Sequence, residues 1–552
     1  MVITDRPAPD SVPVDVPARR PALSPGRAAL ALGALGVGYR LAMLLAGLPP
    51  TNSDEAVTGL VATHVAQGRE FPLFFYGQYY MGALEAYLAA PLFALGGPGL
   101  VALRLPNLLL YALFLVAMWQ LTRRLYHPWF ATAVVGLLAL GSDRILKNQL
   151  IAGGGYPEMN PAGALLVLLA VLLGLRAVRR RALACAAFGL VAGLTLWDDW
   201  LVLPYVAAAG ALLLAGLGRD LVGRCGAALA AGLVVGLLPI VAHNLTAAPE
   251  HRSLAVYRQL SGSTPGAWAD RLHGGVLFGL PIGTGFCAPG RCAGWQLWWG
   301  VVAPTLLLVA GLLALRALWA LRPRQLDGLP DRLDAVRAGR IRQGGRLALV
   351  GAAAASLAAY AGSAAAADTP VESSRYLSCL LISLPALLWP LWSAARTHPA
   401  RRRRAGLWLA ARAALAAVAA SALLATGTLI AEAGTLTRAD DQRQGLVAAL
   451  DRLGVQHFYA DYWTCYPIVF ATRERLLCGV IRDDLRAGWN RYPAYPARVA
   501  RADRVAYVVP AGTALSRAVA DRLATTGTPV TRTSVPGYDI HLPAAPVGLP
   551  LS

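Results

Sequence analysis

The stretch "LPPTNSDEAVTGLV" (residues 48–61) puts two adjacent carboxylates, Asp54 and Glu55, directly after the first long apolar run of the chain. What that position means depends on the layout of the rest. Of 552 residues, 56% are hydrophobic and 14% charged, against about 25% charged in ordinary soluble domains. Apolar runs recur along the length, many approaching the roughly 20 residues that cross a bilayer. The short alternating strands of a closed membrane barrel are absent from the sequence. The pattern predicts an all-α polytopic membrane domain.

Spans are expected at 27–48, 99–122, 127–142, 161–177, 183–197, 201–217, 226–243, 298–321, 347–367, 376–395 and 407–431, eleven in all. The formal net charge is +20, from 50 basic and 30 acidic residues. The basic residues bunch in short hydrophilic breaks: Arg123–Arg124, "RAVRRRA" at 176–182, the segment 322–346, and "RTHPARRRR" at 396–404. That is a positive-inside distribution, so no nucleic-acid partner is expected. With these breaks inside, the expected location is the plasma membrane, N-terminus cytoplasmic. The loops 49–98, 143–160, 198–200, 244–297 and 368–375 then face outward, as does everything from Glu432. Residues 1–26, rich in Pro and Arg, read as a disordered cytoplasmic tail, and 27–431 as the membrane domain. The segment 72–95 reads as interfacial helices with Tyr76, Tyr79, Tyr80 and Tyr87 at headgroup depth. Counting it as a twelfth span would turn the following Arg clusters outward.

Residues 432–552 read as a small extracytoplasmic α/β domain. "LVAALDRLG" and "SRAVADRLATTG" have helical patterns, "VQHFYA" and "RVAYVVP" strand patterns, and "PVTRTSVPGYDIHLP" suggests a hairpin. Four of the seven cysteines, Cys287, Cys292, Cys465 and Cys478, fall on the outward side, where disulfides form. The expected pairs are Cys287–Cys292 and Cys465–Cys478.

On the residues alone, Asp54 and Glu55 either mark the outer mouth of the bundle or belong to an "NSDE" helix start capped by Asn52 or Ser53. The same loop is aromatic and holds Glu85 in an apolar setting, where charge is costly. Glu158, in "GGGYPEM", sits beside glycines that allow close backbone approach, or is a helix N-terminal charge favoured by the macrodipole. Arg104 lies about one turn inside an apolar helix, which is expensive unless the group is paired or wet. "WDDW" at 197–200 either anchors at the interface or stacks tryptophan on a sugar.

The pieces "SDEA", "YYMGALEAYLAAPLFALGGPGLVALRLPN", "GGGYPEMNPAGALL", "VGLLPIVAHN", "ESSRYL", "DYWTCYPIVF" and "RYPAYPARV" occur in an order that resembles one family. It is the GT-C superfamily of polyprenyl-phosphate-sugar-dependent glycosyltransferases, in the branch of protein O-mannosyltransferases and the lipid A aminoarabinose transferase. The resemblance implies a sugar taken from a lipid-phosphate donor and passed, with inversion, to a hydroxyl of a glycan, lipid or protein acceptor outside the membrane. It implies Asp54 as the general base, because an acceptor hydroxyl is a poor nucleophile until its proton is removed. Glu55 either positions the acceptor or faces away, and Glu158 is the second acid at the cavity. Cations should face the leaving phosphate: Arg375 with Tyr376, Arg104 and Lys147, since a guanidinium fork fits phosphate oxygens. For Lys147 a snorkelling role at the interface is the alternative. Tyr79, Tyr80, Glu85 and His243 are expected to line the substrate cavity.

Some relatives of the aminoarabinose transferase hold a metal in the first-loop region. Here Glu85 and His243 are a single acid and a single histidine far apart in sequence, and the loop has no "DxD". No metal and no cofactor is therefore expected. A transporter or flippase of lipid-linked glycans or small molecules is the alternative function. It would show two matched halves, whereas the large external elements here cluster unevenly. A scaffold of the cell envelope would have no need of Asp54.

Overall fold

The structure, a computed structural model, describes residues 24–261, 266–321, 330–396 and 402–548. Most of the expected N-terminal tail and parts of the basic breaks 322–346 and 396–404 lie outside them. Among the described residues, ten helices are long and apolar enough to cross a membrane, or eleven when one bent pair counts as a single span. The helices at the front of the chain are α1 (Pro25–Leu45), α2 (Ser53–Ala66), α3 (Leu84–Gly96), α4 (Leu100–Leu125), α5 (Pro128–Ala139), α6 (Asp143–Leu150), α7 (Tyr156–Gly174), α8 (Arg181–Asp198), α9 (Leu203–Leu217) and α10 (Arg224–Thr246). Further spans are Trp298–Ala320, 333–362, 370–396 and a long helix from Arg402 to Leu436 that leads into Arg438–Arg452.

The expected span 127–142 is found as a shorter helix, Pro128–Ala139, followed by a sharp bend. α5 ends at Ala139 and α6 leaves it at 91°. A break inside a bilayer exposes carbonyls that must find donors. They find them in Arg40, which is fully buried in α1 and donates to the carbonyls of Ala139 (2.9 Å) and Leu140 (3.0 Å) and to Gln149 Oε1 (2.7 Å). Tyr39 and Tyr111 hydroxyls take the carbonyls of Gly141 and Leu138.

The segment 72–95 is also corrected. Only Leu84–Gly96 is helical, and the chain before it is irregular, closed by a bridge between Phe74 and Gly82. Tyr76 lies inside the protein. It is buried, donates to Glu70 and bonds His64 Nδ1 at 2.6 Å. The expected loop 244–297 carries short helices, among them Ser253–Ser261 and Gly279–Gly283.

The C-terminal domain has a five-stranded sheet in the order β2-β1-β3-β5-β4. Its strands are β1 (His457–Ala460), β2 (Leu477–Val480), β3 (Val505–Pro510), β4 (Val530–Val535) and β5 (Tyr538–Pro543). β1 pairs parallel with β2 and β3, and β4–β5 is the expected hairpin. The cysteine pairs 287–292 and 465–478 are both bonded, the second joining the helix Tyr462–Ala471 to β2.

This domain does not stand apart. One apolar core runs from Val57, Leu60 and Val61 of α2 through Ala86 of α3 to Ile468, Phe470 and Tyr495 of the domain. Glu474 joins the two by accepting from Arg69 (2.6 Å) and Tyr495 (3.0 Å) and bonding His64 Nε2 (3.1 Å). Burial would raise its carboxyl, but the His64 and Arg69 contacts hold it down to about 2. Gly59 is the closest point of approach, since a Cβ there would lie 2.5 Å from the Phe470 ring. Glycine in a helix interior costs up to about 1 kcal/mol relative to alanine, and close packing is its justification here. Gly59→Val should force α2 off the domain and destabilise the protein by about 1–3 kcal/mol. A melting temperature equal to the parent's would contradict this packing.

Candidate active site

α2 starts where Asn52 Oδ1 accepts from Glu55 N at 2.9 Å, so the "NSDE" cap exists. The cap does not account for the two acids, which diverge. Glu55 is fully buried and grips Arg104 of α4 through two parallel bonds, Nε to Oε1 at 2.7 Å and the second nitrogen to Oε2 at 2.6 Å. Its Oε1 also accepts from Ala152 N at 3.3 Å. Arg104, expected at the donor phosphate, is therefore corrected to a structural partner of Glu55. Two of its three nitrogens bond that carboxylate, and its side chain is 1% exposed.

Asp54 is half-buried and faces the C-terminal domain. Its Oδ1 accepts from the Tyr462 hydroxyl at 2.6 Å, and Oδ2 has no partner among the described residues. The neighbouring Ser53 hydroxyl donates to the Tyr462 carbonyl at 2.6 Å. Arg491 Nε donates to the Tyr462 oxygen at 3.3 Å, and both its terminal nitrogens reach the Gln78 amide oxygen at 3.0–3.1 Å once that amide is turned. Tyr462 and Arg491 were quoted only as parts of motifs. Nothing local singled them out, because their role exists only once two distant segments meet.

Behind Asp54 the chain makes the turn Gly153–Gly155, with Gly154 and Gly155 at positive φ (101° and 85°). Glu85 holds this turn. Its oxygens accept from Gly154 N at 3.0 Å and Gly155 N at 3.3 Å. Burial pushes the Glu85 carboxyl up to about 8, and the Asp198 charge adds to the shift against those two bonds. Glu158 follows in the first turn of α7, nearly fully buried, with no partner on either oxygen among the described residues. "WDDW" joins the same cluster. Asp198 and Asp199 lie beside Gly155, at 3.4 and 3.2 Å from the position a Cβ would take there. Neither anchoring nor sugar stacking fits Trp197, which is buried and donates to the Leu73 carbonyl at 2.8 Å.

Arg375 lies within electrostatic range of Asp54. Its guanidinium lies over the rings of Tyr156 and Tyr376, and its carbonyl accepts from Asn148 at 3.1 Å. Arg144 of α6 is near it and donates to the Val371 carbonyl at 2.9 Å. Lys147, on the same short helix, is paired with Asp143 at 2.9 Å. Tyr80 is the hub. Burial pushes its hydroxyl up to about 12, Tyr376 and Asp199 add to that, and Arg491 and Arg375 pull it back. Tyr80 also meets Trp200 and Tyr257, whereas Tyr79 stacks on His243 at 5.0 Å. His243 bonds the His251 carbonyl at 3.0 Å. Among the described residues no three acid, histidine or cysteine side chains are grouped to hold a metal ion.

A polytopic helical bundle whose first loop packs under a C-terminal α/β domain is a fold this chain shares with solved structures. It superimposes on ArnT from Cupriavidus metallidurans bound to undecaprenyl phosphate with a TM-score of 0.56 at 13% identity, covering 93% of this chain and 97% of that one. The apo state of the same protein gives 0.55 at 14%, covering 93% and 98%. Archaeal oligosaccharyltransferase AglB from Archaeoglobus fulgidus, in complex with an inhibitory peptide and a dolichol-phosphate, gives 0.43 at 13%, over 95% and 75% of the two chains, too distant to argue from. No family model and no curated protein matches the sequence.

Proposed function

We propose that this protein is a membrane glycosyltransferase that moves a sugar from a polyprenyl-phosphate donor to an acceptor hydroxyl at the outer face of the plasma membrane. One observation carries the reading: Asp54 has one oxygen fixed by Tyr462, the other free, and Arg375 within electrostatic range. A carboxylate held by one oxygen keeps its second lone-pair face aimed, which a general base needs. The guanidinium suits the phosphate that leaves from the opposite side of the anomeric carbon, giving inversion. Glu55 and Arg104 position Asp54 by pinning α2 to α4. The superposition on a protein bound to undecaprenyl phosphate supports the donor class.

Purified protein incubated with a panel of radiolabelled polyprenyl-phosphate sugars tests the reading. Label should leave the donor for a hydroxyl acceptor, and absence of transfer from every donor would overturn it. Arg375→Ala should weaken donor binding about 10- to 100-fold, the equivalent of a charged hydrogen bond worth about 1.5–3 kcal/mol. Unchanged donor affinity would remove Arg375 from the phosphate.

The same reading puts the N-terminus inside and the C-terminal domain outside. Reporters fused after Ser552 and inserted within 322–346 should therefore report opposite sides, and two cytoplasmic signals would contradict it.

A further inference from the structure

Between α4, α7 and α8 lies an apolar cavity of about 150 Å3. Its floor is one face of α7, where Glu158, Pro161, Ala162 and Leu165 follow the three-and-four spacing of a helix stripe. Leu110 and Leu113 of α4 form one wall, and Val191 and Leu194 of α8 the other. Leu113 is 43% exposed, on a stripe with Leu109 (65%) and Val116 (58%). In a membrane-spanning helix such a stripe faces lipid, so the cavity opens sideways toward the acyl chains.

Its outer end is different in kind. There the cavity meets Glu158, Asp198 and Asp199. Among the described residues, Glu158, 6% exposed, has no partner on either oxygen, and Asp198 Oδ1 and Asp199 Oδ2 are buried without partners too. Buried acceptors without donors are costly and rare. The group that satisfies them carries hydrogen-bond donors. A phosphate has almost none to offer at neutral pH, whereas sugar hydroxyls fit.

We infer that this cavity seats the acceptor, a lipid-anchored molecule whose head is uncharged and rich in hydroxyls. The inference rests on the transfer reading for the word acceptor. Its tail lies between α4, α7 and α8, and its head bonds Glu158, Asp198 and Asp199. The donor phosphate is kept to the side of Arg375 and Arg144. The two lipid substrates are thus sorted by charge before either reaches Asp54.

Two photoreactive probes with the same diazirine-bearing dodecyl chain test this, one a glucoside and one a phosphate. They are added to the full-length protein in bilayer discs, and labelled peptides are mapped by mass spectrometry. The glucoside should label α4, α7 and α8, and the phosphate should not. Ala162→Trp, which fills the floor, should abolish glucoside labelling there. Leu165→Phe is the milder filler, and a thermal melt identifies any variant that has lost its fold. Glu158→Gln combined with Asp198→Asn should admit the phosphate probe. Equal labelling by both probes in the unaltered protein, or glucoside labelling that persists in a folded Ala162→Trp protein, would overturn the assignment. Labelling needs no turnover. Specific glucoside labelling without sugar transfer from any donor would therefore uphold the lipid seat and sink the transfer reading instead.

Discussion

Asp54→Asn should lower sugar transfer by roughly 10²–10⁴-fold, the usual contribution of a general base, while donor binding and thermal stability stay near the parent's. Asparagine keeps the size of the side chain and can still accept from the Tyr462 hydroxyl, which bonds Asp54 Oδ1 at 2.6 Å. What it loses is the ability to take a proton from the acceptor. Single-turnover transfer from a pre-bound labelled donor separates the two effects. A folded Asp54→Asn protein that transfers at the parent rate would refute the assignment, and Glu158 would become the next residue to test.

The adjacent acid should behave in the opposite way. Glu55→Leu leaves Arg104 charged, buried and alone. Breaking one side of a buried ion pair costs about 3–5 kcal/mol, because the surviving charge has no solvent to return to. Low yield and a sharply lower melting temperature are expected. Adding Arg104→Met should restore much of the stability, since the pair is then replaced by apolar volume. Glu55→Gln should be intermediate in stability and, per folded molecule, should transfer far better than Asp54→Asn. If Glu55→Leu melted with the parent, the pair could not be what pins α2 to α4.

The contrast shows what the sequence makes legible. Long apolar runs and Arg-rich breaks report on the local solvent of each segment, and solvent decides whether a segment spans. So the bundle and the hairpin Val530–Pro543 could be read residue by residue. Pairing is another matter. Arg104 reads as a phosphate ligand because an intrahelical arginine needs a partner, but its own surroundings do not say which partner. The partner is Glu55, 49 residues away. The break after Ala139 is equally silent, because what permits it is the buried Arg40 on another helix. β2 escaped notice because it is four residues long and buried throughout, so it has no alternation to display. "WDDW" held the information in plain sight. Two acids amid apolar residues signalled a cost, and only the packing of α8 beside the Gly153–Gly155 turn shows where it falls.

Asp54 and Tyr462 are 408 residues apart in the chain. The ribosome therefore makes Asp54 early and its partner late. Until the final fifth of the polypeptide has folded over α2, Asp54 lacks its Tyr462 partner. A chain that ends ahead of the sheet lacks the Tyr462 hydroxyl that fixes Asp54 Oδ1. If Asp54 is the base, completion of synthesis is a condition for activity, and incomplete copies should be inert.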